Sequence, residues 1–131
     1  MLRFDFMASD FNEHFLILGT PTELSALAET LRRYAKETEM VDLSQSFPNP
    51  ALTVSLLIEP PEGARQGLHQ TGTHTFRWCL HDWQAAIIAD GIDKLNTDRS
   101  ASEIFQLGAE GEIPVKISHG EFTDEFLVSK W

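Results

Sequence analysis

The sequence predicts an α+β domain, a mostly antiparallel sheet of about seven strands with two helices packed on one face. Three observations carry this. Many short segments alternate apolar and polar residues, whereas only two stretches keep a helical period. A run of strands separates those two stretches, so strand and helix do not alternate long enough to build a wholly parallel sheet. No internal repeat, low-complexity segment or linker interrupts the chain, and residues 1–131 read as a single globular domain.

In residues 2–7, Leu2, Phe4 and Phe6 alternate with Arg3, Asp5 and Met7, the mark of a half-buried strand. Residues 8–13 read as a turn. His14–Leu18 is almost wholly apolar, which predicts a strand buried on both faces. Thr20 then stands as N-cap, Pro21 occupies the first helical position, and Glu23 completes a capping box. Leu24, Leu27, Ala28, Leu31, Tyr34 and Ala35 fall on one face of the helix that follows, from Pro21 to Glu37. Gly19 before the cap lacks the companion glycines and the lysine of a phosphate loop.

Met40–Leu43 is a short strand candidate, and Phe47-Pro48-Asn49-Pro50 a turn. Leu52, Val54, Leu56 and Ile58 alternate with Thr53 and Ser55 as a further strand. Glu59–Gly72, with two prolines and three glycines, reads as the longest irregular segment, a length often associated with function. Thr73–His81 predicts a strand with His74, Phe76, Trp78 and Leu80 on one face and Thr75, Arg77, Cys79 and His81 on the other. Asp82 is the expected cap of a second helix that buries Ala85, Ile88, Ala89, Ile92 and Leu95, with Trp83 and Ile87 flanking. Gly91 costs this helix about 1 kcal/mol relative to alanine, so a break or a tight contact is expected there. After a polar loop come strands at Glu103–Leu107, Ile113–Ser118 and Glu121–Val128, with a His119-Gly120 turn between the last two. Pro114 suits an edge strand, where its missing N–H is not needed.

The 20 acidic and 10 basic side chains leave a net charge of −10, which disfavours nucleic acid and admits a basic protein partner. No apolar run approaches the roughly 20 residues of a membrane span. The first residues show no basic region followed by an apolar one, and the single cysteine excludes an internal disulfide, so a cytoplasmic protein is expected.

His69, His74, Cys79 and His81 cluster in sequence, but their spacing does not point their lone pairs to one place, and neither a metal nor a cofactor is expected. Cys79 in mid-strand is a poor nucleophile candidate, and no G-x-S-x-G elbow occurs. The better ligand candidates are Arg77, His81, Trp78 and His69, lining a cleft under the 59–72 loop and suited to an anionic molecule. Trp131 and the C-terminal strands suggest a homodimer. In size and acidity the chain resembles the small immunity proteins that neutralise bacterial toxins by covering the partner's active site. That resemblance rests on no motif and implies a non-enzymatic protein-interaction module.

Overall fold

The strand-to-helix junction at Thr20 forms as the sequence predicts. The Thr20 hydroxyl accepts from the Glu23 backbone N–H at 3.2 Å, and the Glu23 carboxylate accepts from the Thr20 N–H at 2.8 Å. In this computed structural model, residues 2–8, 13–51, 53–63, 65–98 and 102–119 are described. They form β1 (Arg3–Met7), β2 (His14–Gly19), α1 (Pro21–Glu37), β3 (Val41–Asp42), α2 (Leu43–Ser46), β4 (Ser55–Glu59), β5 (Gly67–Gln70), β6 (Thr75–Cys79), α3 (Asp82–Asp98), β7 (Ser102–Phe105) and β8 (Val115–His119). The strand expected at Glu121–Val128, the His119-Gly120 turn and Trp131 fall outside the described residues, as do Leu52 and most of the 8–13 turn.

The α+β class stands, but the single antiparallel sheet does not. The eight strands make two mixed sheets of four, ordered β1-β2-β8-β7 and β3-β4-β6-β5. Each is two antiparallel hairpins joined along a central parallel pair, β2 with β8 and β4 with β6. Alternation reveals which face of a strand is buried and says nothing about the direction of its neighbour.

The connectivity contains a repeat that the sequence hides. In chain order, hairpin β1–β2, helix α1 and the antiparallel pair β3–β4, with α2 in its connection, are followed by hairpin β5–β6, helix α3 and the antiparallel pair β7–β8. Each sheet takes one hairpin from each unit. At one constant shift along the chain, the buried Leu24, Leu27, Ala28, Leu31 and Tyr34 of α1 correspond to the buried Ala85, Ile88, Ala89, Ile92 and Leu95 of α3. Phe15 and Phe76 are counterparts at the same shift, and their rings meet edge to face at 5.0 Å, where the two units face each other.

Other expectations change in detail. The 59–72 segment is not wholly irregular, since β5 pairs antiparallel with β6 inside it. Gly-Leu-His-Gln offers one apolar residue, too few for alternation to register. His81, not Asp82, caps α3: its carbonyl accepts the first helical bond, from Ala85, and its N–H donates to the Gln84 side chain at 2.8 Å. Pro114 does not mark an edge, because β8 lies inside its sheet. It precedes the strand, where no ladder donor is needed, and its carbonyl accepts from Phe15 N–H at 2.9 Å. The tight contact at Gly91 is real, since a methyl group there would collide with the Phe105 ring. Leu43, expected in a strand, starts the short α2, with the Asp42 carboxylate accepting from Ser44 N–H.

Along β2 the apolar run buries both faces. Phe15 and Ile17 join the main core with both helices and the inner faces of both sheets, while Leu16 and Leu18 form a small second cluster with Met7. Leu27 lies in the main core with no exposed surface. Leu27→Ala is therefore expected to lower stability by about 2–5 kcal/mol in a chemical melt, and a loss under about 1 kcal/mol would remove α1 from the core.

Tyr34, the single tyrosine, donates its hydroxyl to the Leu80 carbonyl at 2.7 Å, tying α1 to the end of β6. Burial first, then the negative charges of Cys79, Glu59 and Asp82, pushes its ionisation up to about 12. The protonated phenol is the form the fold favours. Its contribution is complete below the ordinary tyrosine pKa of about 10 and is lost as pH rises through the folded value. A spectrophotometric titration should show tyrosinate appearing near pH 12 in the folded protein and near 10 once it is unfolded.

Candidate functional site

Two neighbouring regions hold the residues with chemical potential. The first is the outer face of the β3-β4-β6-β5 sheet. Strand register sets His69 of β5 beside Arg77 of β6, with Leu57 of β4 on the far side of Arg77. One register step further, Glu59 lies beside Cys79, and Cys79 beside Gly67. The Arg77 guanidinium donates to both carboxylate oxygens of Glu59 at 3.1 Å. His69 donates from Nε2 to the Gln66 carbonyl at 2.8 Å.

Cys79 points outward, yet it is 2% exposed. Its Sγ lies 4.0 Å from Glu59 Oε1, under the Arg77–Glu59 pair. Burial, reinforced by the Glu59 charge, pushes the thiol pKa up, against the opposing pull of Arg65 and Arg77. At neutral pH this group is an inert thiol.

The second region is the first two turns of α3. Gln84 is buried and links two segments, accepting from His81 N–H and donating to the Gln66 side chain at 2.9 Å. The exposed His81 ring lies parallel to the indole of Trp83, with ring centres 6.3 Å apart and planes 9° from parallel. Trp83 and Ile87, one helical turn apart, are each 58% exposed. Asp82 precedes them and Asp90 follows. The Asp90 carboxylate, 75% exposed, accepts from Arg32 of α1 at 2.7 Å.

The four candidate ligand residues therefore do not share one cleft. Arg77 and His69 are neighbours on the outer sheet face, and His81 lies at the head of α3. Trp78 is 2% exposed and points from the opposite face of β6 into the core. Among the described residues, no three His, Cys, Asp or Glu side chains converge as metal ligands would. Among them, too, no helix is long and apolar enough to cross a membrane.

Sequence reasoning placed Trp83 and Ile87 only at the flanks of the buried face of α3. They lie four apart and off the buried stripe of their own helix, which is the signal that could have singled them out. Their counterparts in α1 are Thr22 and Ala26. These smaller side chains line an open, mostly apolar groove of about 330 Å³ together with Leu2, Phe47 and Pro48. The two units thus differ where equivalent helices face outward: one is concave there, the other carries two large apolar side chains.

As the single cysteine, Cys79 reports directly on the outer sheet face. A thiol reagent should react with the native protein much more slowly than with the denatured chain. The native rate should keep rising beyond the ordinary thiol pKa of about 8.5. Fast native labelling at neutral pH would contradict this burial.

In comparisons with protein-family models, curated proteins and solved structures, the chain matches none.

Proposed function

We propose that this chain is a non-enzymatic protein-interaction module, inhibitor-like in style, which binds another protein and covers part of its surface. The observation that carries this reading is the exposed Trp83–Ile87 pair on α3. Leaving apolar area in water forgoes about 25 cal/mol per Å², and tryptophan is the side chain most concentrated at the energetic centres of protein interfaces. The helix beneath is rigid. Ala85, Ile88, Ala89, Ile92 and Leu95 are packed in the core, so the pair is presented without the ordering cost of a loop. Met40 and Ile104 are also exposed, but they stand on two different segments, whereas Trp83 and Ile87 lie one turn apart on one helix. The net charge of −10 favours a basic partner.

An anionic small molecule held by Arg77 is the alternative, and Glu59 weighs against it. Both carboxylate oxygens already accept from Nη1 of this guanidinium, so an anionic ligand must compete with a carboxylate held beside it.

Tagged protein incubated with native lysate should retain a stoichiometric partner at low salt and progressively lose it as salt rises, because screening weakens contacts between exposed charges. Retention of no partner at low salt would remove the interaction reading.

A further inference from the structure

We infer that the outer stripe of α3 is the docking surface and that its occupant is a basic amphipathic helix of the partner. Trp83 and Ile87 take the apolar side of that helix, and Asp82 and Asp90 take two of its Lys or Arg side chains. The inference rests on the interaction-module reading and deepens it.

The chemistry follows from the order of residues along one helix. Asp82, Trp83, Ile87 and Asp90 run as acid, apolar, apolar, acid over two turns, all four exposed, and the exposed Lys94 one turn beyond Asp90 bounds the acidic stretch and confines a basic occupant to residues 82–90. Eight residues of α-helix span about 12 Å. Basic side chains seven or eight positions apart on a second helix cover the same distance, with the intervening apolar residues facing Trp83 and Ile87. A row of side chains four apart is also the ridge that one helix offers the groove of another. A strand is the weaker occupant. Strand addition needs free backbone donors and acceptors, and the middle of α3 has none to spare.

Two features prepare the surface. The His81 ring lies parallel to the Trp83 indole with centres 6.3 Å apart, and the Asp82 carboxylate accepts from the Trp83 N–H at 2.8 Å at the head of the stripe. The molecule also contains its own example of the contact. α1 packs along α3, and Arg32 of α1 crosses the rim of that pair to Asp90 and Asp93, both at 2.7 Å. Arg32 occupies Oδ1 of Asp90, so a basic side chain from a helix on the other flank would meet the second oxygen of this 75% exposed carboxylate.

The test uses the full chain and a fluorescent peptide, an amphipathic Leu/Lys helix of about five turns. Its controls are the Leu/Glu counterpart and two protein variants, Trp83→Ala/Ile87→Ala and Asp82→Asn/Asp90→Asn. These positions are exposed, and the Arg32–Asp90 pair lies in solvent, where such pairs add little, so both variants should melt close to the parent. The Leu/Lys helix is expected to bind the parent protein, and to bind each variant at least tenfold more weakly. The Leu/Glu helix is expected not to bind. Equal binding to the parent and to Trp83→Ala/Ile87→Ala would overturn the docking surface, as would no binding of the Leu/Lys helix to the parent. Repeating the lysate experiment with the Trp83→Ala/Ile87→Ala variant separates the two levels. A partner retained equally by parent and variant rejects this surface and leaves the interaction module standing, whereas a parent that retains none rejects the module itself.

Discussion

Neither half of this chain can complete a sheet alone. Each four-stranded sheet joins one hairpin from each unit, and the joints are the parallel pairs β2·β8 and β4·β6. If either joint opened, two central strands would lose a row of backbone partners, and unmet buried donors and acceptors are costly. The core follows the same logic. Phe15 from one unit and Phe76 from the other touch at its centre, and Phe6 meets Phe76 at 4.9 Å. Both joints are long-range in sequence, so the chain must close large loops before either sheet exists, a topology associated with slow folding.

The helices benefit from this arrangement and then diverge. Both begin at a cap whose carbonyl takes the first helical bond, and both present the same spacing of buried residues to the core. That shared inner pattern is a packing requirement. The outward side carries no such requirement, and there the two helices differ: Thr22 and Ala26 beside a groove on one, Trp83 and Ile87 in solvent on the other. A difference on the face that packing does not constrain is where partner recognition can be placed without loss of stability.

Much of the fold was legible because local rules acted alone. The Thr20–Glu23 box and the Leu24/Leu27/Leu31 period gave α1 its full extent, and alternation located β1, β4 and β6. What stayed hidden depends on residues distant in sequence. Nothing local to His14–Gly19 says that Val115–His119 will lie parallel beside it, and Gly67–Gln70 has no apolar pattern to announce a strand. The site divides in the same way. Arg77, His69 and His81 were recognisable as polar candidates, and the structure leaves Arg77 and His81 exposed and His69 half-buried, but Trp78 belongs to the core, because alternation in β6 turns it away from Arg77. Trp83 and Ile87 were visible as residues off the helical stripe, yet only the packed structure distinguishes an uncovered pair from one roofed by a loop.

The exchanged hairpins also bear on how such a molecule comes apart and is assembled. The two units are joined covalently at one place only, between Glu59 and Gly67. A cut there would leave every hairpin, both long helices and both parallel joints chemically whole. It would remove a tether, which for a short link is equivalent to a local concentration on the order of millimolar. Seen in this way, the protein is a heterodimer of two half-length chains that share a peptide bond, their association made unimolecular by a loop that the sheets themselves do not require.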